Sequence, residues 1–252
     1  MSDKTIIRFD NRVENYVKYR PHYPLEVLEF FRDELNLKKS SVIADIGSGT
    51  GISSKLFLEN GNKVFGIEPN KLMREASVEY LKDYPNFKVI DGTSENTTLE
   101  DKYVDFIIAA QAFHWFNPAK TLTEFRRILR KNAFVSLIWN ERQLDTNKFL
   151  RDYENLLTEF GSDYENVRHD KITKKSLNEF FKTNIYRKTF ENSQTLDFNG
   201  LLGRLLSSSY MPSEENPLFE EMKKSLKQLF AEHARKGKIK VLYNTNIFYT
   251  KL

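Results

Sequence analysis

The sequence of 252 residues contains no cysteine. Disulfides, thiolate metal sites, cysteine nucleophiles and thiol redox chemistry are therefore excluded. Long apolar runs are also absent, because nowhere do about 18 apolar residues follow one another, as a membrane-spanning helix requires. Charged residues occupy the first positions of the chain, where a signal peptide has an apolar segment. We therefore expect a soluble, cytoplasmic protein.

A strong excess of one charge sign is lacking too, since 39 basic residues stand against 35 acidic ones and leave a net charge of +4. The basic residues form no clustered stripe, so we expect binding neither to nucleic acid nor to a membrane. The four histidines lack the spacing of metal ligands, and we expect no metal. Hydrophobic residues make up 40% of the chain, which is ordinary for a globular protein with a packed core.

Apolar runs of strand length alternate with amphipathic segments of helix length in the first part of the chain. Buried strands that are joined by helices indicate an α/β fold with a doubly wound, mostly parallel sheet. The predicted strands cover 42–46, 63–68, 88–90, 105–110 and 133–139, and the predicted helices between them cover 52–60, 71–84 and 119–129.

Further amphipathic segments lie on both sides of this alternation. Residues 11–36 predict two helices joined at Pro21 and Pro24. Later helices are predicted at 145–160, 175–182, 197–207 and 214–235, and strands that return to the sheet as its edge at 185–193 and 240–251. We therefore divide the chain into an N-terminal helical lid (1–36), a core (37–142), and a helical cap with C-terminal strands that complete the sheet (143–252).

A glycine-rich turn joins the first predicted strand to the first predicted helix. Asp45 precedes Gly47, Gly49 and Gly51, and glycines at such a turn let the backbone pass close beneath a ligand. Glu68 ends the next strand, 23 residues after Asp45, where a carboxylate can accept hydrogen bonds from ribose hydroxyls. The two segments together predict a site for a nucleoside-containing cofactor.

The glycine pattern separates the classes of cofactor. A dinucleotide-binding GxGxxG turn needs its third glycine where this chain has Ile52, which disfavours a pyrophosphate. A nicotinamide-dependent oxidoreductase, which would use the same strand, turn and carboxylate, is kept as the alternative function. A noncatalytic nucleoside-binding module is a third.

The segments DIGSGTG and FGIEPN resemble the first two binding motifs of class I S-adenosylmethionine-dependent methyltransferases. Residues 91–95 and 110–116 match two further motifs of that family by position. NYVKYRPHYP, QAFHWF and WNER are similar to a small-molecule subgroup that includes the trans-aconitate methyltransferase type. The resemblance implies a seven-stranded Rossmann-like methyltransferase fold. It also implies methyl transfer by in-line displacement to a small-molecule acceptor, either a carboxylate, a hydroxyl or a ring nitrogen.

The resemblance also implies which residues bind S-adenosyl-L-methionine. These are Tyr16, Tyr19, Arg20, Asp45, Gly47, Ser48, Gly49, Glu68, Pro69, Asn70, Thr93, Ser94 and Gln111. The N-terminal members belong to a segment that tends to close over the cofactor in such enzymes.

Seven residues are candidates for catalysis or for substrate binding. His114 is the candidate general base, with a packed histidine in an aromatic cluster as the alternative interpretation. The candidates for substrate binding are Trp115, Trp139, Arg142, Arg204, Ser207 and Tyr210. The alternative to substrate binding is core packing for the two tryptophans and ordinary helix capping for the last residues of this set. The expected partner is a small-molecule methyl acceptor, and the protein is expected to be a monomer or a homodimer.

Overall fold

A computed structural model of the protein describes residues 12–162, 164 and 173–252. Seven strands of this part form one sheet in the order β3-β2-β1-β4-β5-β7-β6. The strands are β1 (Val42–Ile46), β2 (Lys63–Ile67), β3 (Phe87–Ile90), β4 (Val104–Ala110), β5 (Leu129–Arg142), β6 (Tyr186–Leu196) and β7 (Ile239–Lys251). Strands β1 to β5 pair in parallel, whereas β7 is antiparallel to both β5 and β6.

Helices surround this sheet and build a cap beside it. Among the described residues, two helices precede the sheet, three connect its parallel strands, and four belong to the last part of the chain. In chain order they are α1 (Val13–Tyr19), α2 (Leu25–Asp33), α3 (Ile52–Glu59), α4 (Lys71–Tyr80), α5 (Pro118–Ile128), α6 (Lys148–Phe160), α7 (Lys174–Phe181), α8 (Phe198–Leu206) and α9 (Phe219–His233). None of the described helices is long and apolar enough to cross a membrane.

The central strands are apolar along their whole length because both faces of the sheet are covered. On one face, helices α2 and α3 pack over Ile43 and Ile108. On the other face, helices α5 and α7 pack over Ile46 and Ile107. A separate apolar cluster holds the cap together, where α6, α8 and α9 meet around fully buried side chains such as Leu226. The sheet is therefore rigid beneath whatever site lies at its edge.

The predicted architecture is confirmed: the chain has a Rossmann-like sheet of seven strands with helices on both sides. The C-terminal strands do return to the sheet, but only β6 is its edge, because β7 is inserted between β5 and β6. Helix α9 begins at Phe219 rather than near residue 214. Pro217 lies just before it, and a proline lacks the amide proton that a helix interior uses. Residues 1–11 of the predicted lid, and residues 163 and 165–172 of the predicted cap, lie outside the described residues.

Candidate active site

A cavity of about 260 Å³ lies where β1, β4 and β5 reach their carboxyl ends. Ligands bind at this edge of open α/β sheets. Its wall combines the N-terminal segment, the turn after β1, the ends of β4 and β5, and the cap. These regions contribute Tyr16, Arg20, Pro21 and Tyr23; Gly47, Ser48, Gly49, Thr50, Ile52 and Ser53; Ala110, Gln111, Asn140, Glu141, Arg142 and Leu144; and Tyr164, Arg204 and Tyr210.

The turn after β1 needs its glycines for two different reasons. Gly47 has φ +70°, and a Cβ atom there would lie 2.6 Å from the Cβ of Ala112, so the turn packs directly against the loop that follows β4. Gly49 has φ +53°, and a Cβ atom there would meet no atom within 4 Å. Because Gly49 lines the cavity, this open space is available to a ligand.

Glu68 meets this turn at the end of β2. One of its carboxylate oxygens, Oε2, accepts a hydrogen bond from the Gly49 amide at 2.9 Å, and Oε1 accepts one from the Asn70 amide at 2.9 Å. The side chain is buried, and this burial raises the pKa of Glu68 although the two amides oppose the shift. The glycine turn and the carboxylate therefore converge, as the sequence predicts.

Asp45 is a fully buried carboxylate at the end of β1. Its Oδ2 accepts hydrogen bonds from the hydroxyls of Ser53 at 2.6 Å and Ser54 at 2.7 Å. Its Oδ1 has no hydrogen-bond partner within the described part of the chain. Burial raises the pKa of Asp45 to about 6, against the effect of the two serines. A buried oxygen without a donor is costly, and a ligand ammonium group or water would satisfy it.

Arg20 and Arg204 place two guanidinium groups at the cavity. Arg20 donates from Nη2 to the Ser207 carbonyl at 2.7 Å and lies 4.7 Å from the ring centroid of Tyr16, while its buried Nε has no partner among the described residues. Arg204 donates to the Tyr243 hydroxyl at 3.3 Å. Burial and the neighbouring Arg204 lower the pKa of Arg20. Within the described residues neither guanidinium pairs with a carboxylate, so this side of the cavity favours an anion.

Arg142 is the third guanidinium on the cavity wall. It forms an ion pair with Glu154, donates from Nη2 to the Tyr164 hydroxyl at 3.1 Å, and lies 5.1 Å from the ring centroid of Tyr153. Its Nη1 is buried and has no partner within the described residues. Since one neighbouring carboxylate already balances its charge, Arg142 has a donor left for a ligand oxygen but little net charge.

Several predicted cofactor residues lie beside the cavity rather than on its wall. Asn70 caps α4, where its Oδ1 accepts from the Met73 amide at 2.9 Å, and Pro69 precedes it. Thr93 forms a bridge with Asn96, which shapes the loop after β3. These positions adjoin Glu68 in the fold, and their role toward an adenine stays a prediction.

Other predicted cofactor residues face the protein itself. The Tyr19 ring packs on α8 so closely that a Cβ atom at Gly203 would lie 2.1 Å from it. The Ser94 side chain is buried, and its hydroxyl accepts from the Thr121 hydroxyl at 3.0 Å. Gln111, in contrast, lines the cavity with φ +57° and donates to the Asn140 carbonyl at 3.1 Å.

His114 and Trp115 form a short turn of 3-10 helix, Phe113–Trp115, that follows β4. Their ring centroids lie 4.5 Å apart, and neither side chain is part of the cavity wall. Both assignments, His114 as a base and Trp115 as a substrate contact, stay predictions.

Two further predicted substrate residues, Trp139 and Ser207, do not line the cavity either, and the structure places them in the alternative roles of core packing and helix capping. Trp139 is 1% exposed and packs edge-on against Phe248 in the apolar core. Successive side chains of a strand point to opposite faces, so the next residue of β5, Asn140, lines the cavity instead. Ser207 is fully buried, and its hydroxyl donates to the Arg204 carbonyl at 2.6 Å, which closes the end of its own helix.

Sequence reasoning missed several residues of the cavity wall, and among them are the polar side chains of Tyr23, Asn140, Glu141 and Tyr164. Asn140 joins the sheet to the N-terminal segment by donating to the Pro21 carbonyl at 3.2 Å, and Glu141 accepts from Asn246 at 2.6 Å. The available signal was their position, since Asn140 and Glu141 follow Trp139 at the carboxyl end of a predicted strand. For Tyr164 no such signal exists.

One group of possible metal ligands occurs among the described residues, and it lies in the cap. His233 Nε2 is 2.7 Å from Asp152 Oδ2, and Glu232 adjoins them. None of the three lines the cavity. His169 lies outside the described residues.

Comparison with known proteins agrees with this geometry. A family model described as a methyltransferase domain matches residues 44–137, which include the glycine turn and Glu68. A methyltransferase of a Geobacillus strain is 30% identical over 72% of this chain and 86% of its own length. A methyltransferase of Mycobacterium tuberculosis is 28% identical over 90% of this chain and 87% of its own length. A methyltransferase-like protein of Schizosaccharomyces pombe is 28% identical, and the match spans 59% of its length.

Solved structures show the same fold. A type II methyltransferase from Anaeromyxobacter dehalogenans superposes with a TM-score of 0.68 at 19% identity, covering 92% of this chain and 98% of that one. A methyltransferase of an antibiotic biosynthesis pathway from Anabaena variabilis gives 0.64 at 24% identity, covering 94% and 100%. The architecture is thus that of the class I methyltransferases. The similarity to the Geobacillus relative shows that the chain belongs to the methyltransferase family.

Proposed function

We propose that this protein transfers the methyl group of S-adenosylmethionine to an acidic small molecule. The observation that carries the proposal is the hydrogen bond between Gly49 and Glu68 beside an open cavity. This hydrogen bond brings a glycine-rich turn and a carboxylate suited to ribose hydroxyls to one place. The absent third glycine at Ile52 argues against a dinucleotide, and no contact described above favours an oxidoreductase.

Arg20 and Gly49 on the cavity wall, with Asp45 and Glu68 behind the glycine turn, fit S-adenosylmethionine group by group. Its ammonium group suits the Asp45 Oδ1 atom, which lacks a donor, and its carboxylate suits the Arg20 Nε atom, which lacks an acceptor. The ribose hydroxyls of the cofactor suit Glu68, and the open space beside Gly49 admits its methionine portion. When bound, the cofactor supplies a methyl group on a sulfonium, which is already an activated leaving group.

The protein's own task is then to align the two reactants and to exclude water. Residues Tyr16 and Arg20 close the cavity from the N-terminal side, and Tyr210 closes it from the cap. Arg204 and the free Nη1 of Arg142 bind the acceptor, because both present guanidinium donors that suit a carboxylate.

The charge on the cavity wall restricts the acceptor. A cationic amine would face two guanidiniums that no carboxylate neutralises, whereas a carboxylic acid would neutralise them. A carboxylate acceptor needs no general base. For a hydroxyl or ring nitrogen that bears a proton, His114 remains the candidate base, and the Glu141 carboxylate on the wall is a second candidate.

The same proposal extends to partners and place of action. We propose a free small-molecule acceptor rather than nucleic acid or a membrane, with the protein acting in the cytoplasm as a monomer or a homodimer. The even balance of basic and acidic residues supports this view.

Calorimetry with S-adenosylmethionine, S-adenosylhomocysteine and NADH tests the cofactor. Heat from the first two and none from NADH is the expected result. Glu68→Ala should weaken S-adenosylhomocysteine binding by about tenfold or more, because it removes the acceptor for charge-assisted hydrogen bonds. Glu59→Ala is the matched control, since Glu59 is 45% exposed and contacts Lys55 in an ion pair at 3.9 Å and the Tyr84 hydroxyl at 3.4 Å, neither of which lines the cavity. Equal affinity of both variants would refute the assignment.

Turnover against a panel of acceptors tests the substrate class. Carboxylic acids, including trans-aconitate, phenols, ring nitrogen compounds and amines should be compared under one set of conditions. Acids are expected to be methylated and amines are not. A preference for amines would contradict the role given to Arg204.

A further inference from the structure

Arg12 reaches across the molecule from the residue before α1 to the segment after α8. Its Nη1 donates to the carbonyls of Leu206 and Ser208, and its Nη2 donates to that of Met211, each at 2.8 Å. The residue is 9% exposed. These contacts join positions that are 194 to 199 residues apart in the sequence.

The three residues whose carbonyls accept these hydrogen bonds lie in a short segment, 206–211, which we call the cap turn. The last carbonyls of a helix have no partner within the helix and carry partial negative charge. A guanidinium with its fan of donors satisfies several of them at once. Without Arg12 these three carbonyls would lose a buried donor, and the cap turn would have to rearrange or admit water.

The cap turn also holds two cavity arginines. The Ser207 carbonyl accepts from Arg20 at 2.7 Å, and the Ser208 hydroxyl accepts from Arg204 at 3.1 Å. Tyr210, in the same turn, lines the cavity. The position of the cap turn therefore sets the position of groups on both sides of the cavity.

Helix α1 spans the distance between Arg12 and Arg20. At its far end, the Tyr19 carbonyl accepts from Gln194 at 3.0 Å. Tyr16, in its middle, lines the cavity. The helix is thus fastened at both ends, and Arg12 fastens the first end to the same turn that holds Arg20.

We propose that Arg12 is a positioning residue that locks α1 onto the cap turn and so retains the bound cofactor. The inference rests on the proposed function, because it takes the cavity beneath Tyr16 and Arg20 as the cofactor site. Arg12 is not on the cavity wall and touches no ligand. Its effect on the cofactor passes through the cap turn to Arg20, which donates to the Ser207 carbonyl.

The test measures the dissociation rate of S-adenosylhomocysteine from the full chain by stopped-flow competition. We expect Arg12→Ala to raise this rate by about tenfold or more and Arg12→Lys to raise it less, because lysine keeps the charge but not the planar fork. Leu229→Ala is the control, because this buried side chain of α9 stabilises the same apolar cluster of the cap as Leu206 and Met211 but takes no part in the hydrogen bonds of Arg12. The control should lower the melting temperature and leave the rate within about twofold.

Hydrogen exchange without ligand gives a second measurement. In Arg12→Ala and Arg12→Lys, amides of α1 and of the cap turn should exchange faster together, and those of β1 should not change. An unchanged dissociation rate, equal acceleration in Leu229→Ala, or unchanged exchange would each overturn the inference. If wild-type protein binds no S-adenosylhomocysteine although exchange responds as expected, the proposed cofactor is wrong and the mechanical link between Arg12 and the cap turn stands.

Discussion

Replacing Asp45 by Asn is expected to stabilise the protein while weakening its affinity for the cofactor. The carboxylate is fully buried, and its Oδ1 has no hydrogen-bond partner among the described residues. Burial raises its pKa from 3.8 to about 6, so at neutral pH the folded protein holds a charge that water would solvate better. An asparagine keeps an oxygen for the hydroxyls of Ser53 and Ser54 and removes that charge.

The magnitude follows from the pKa rise of Asp45. A shift of about two units corresponds to roughly 3 kcal/mol of destabilisation by the charged form. Because the folded pKa lies above the unfolded one, this cost is absent below pH 3.8 and fully present above about pH 6. At pH 7.5 the variant should therefore melt about 6–12 °C higher, since each kcal/mol moves the melting temperature by about 2–4 °C in a protein of this size.

The assay is thermal unfolding of wild type and Asp45→Asn between pH 4 and pH 8, followed by calorimetry with S-adenosylhomocysteine. The stability difference should grow between pH 3.8 and about pH 6 and then level off, and binding should weaken about tenfold or more. Asp101→Asn is the control for removing a carboxylate charge, because that side chain is 73% exposed. A variant that is less stable than wild type at pH 7.5, or a difference that does not vary with pH, would refute the reasoning.

Three further predictions concern other parts of the molecule. Glu124 is buried, but hydrogen bonds from Arg127 outweigh that burial and hold the pKa of Glu124 at about 2, so its contribution is present above pH 4.5 and is lost as the pH falls toward 2. Glu124→Gln should cost about 1–3 kcal/mol in urea unfolding at pH 7 and almost nothing at pH 2, and equal costs would contradict this. Gly47→Ala should cost at least about 1–2 kcal/mol, because its Cβ atom would lie 2.6 Å from that of Ala112 at φ +70°, and an unchanged urea midpoint would oppose it. Arg204→Leu should lower kcat/KM for acid acceptors about tenfold or more and leave S-adenosylhomocysteine affinity unchanged, and retained acid turnover would exclude its role.

Local sequence features were sufficient to predict that the glycine turn and Glu68 meet. Asp45, the glycines and Glu68 each end or follow a strand, and parallel strands bring their carboxyl ends to one edge whatever the distance along the chain. The register of β1 against β2, which pairs Asp45 with Gly66, then places Glu68 beside the turn. The prediction needed only the order of strands and helices.

The acceptor side could not be predicted in the same way. A strand that is buried on both faces shows no alternation of polar and apolar residues, so nothing told Trp139 from Asn140 as the residue that faces the cavity. Arg12 meets the cap turn across 194 residues, and no local pattern encodes such a contact. The place of β7 between β5 and β6 likewise depends on long-range pairing rather than on its own sequence.

The insertion of β7 inside the sheet has a consequence for biosynthesis. The 13 residues of β7, Ile239–Lys251, leave the ribosome after the other six strands of the sheet. Both β5 and β6 nevertheless need β7 as a neighbour. Until then the growing polypeptide carries an open backbone edge along β5, and such edges are sites of aggregation. Premature termination shortly before Ile239 should therefore yield insoluble product, even though the glycine turn and Glu68 would already have been translated.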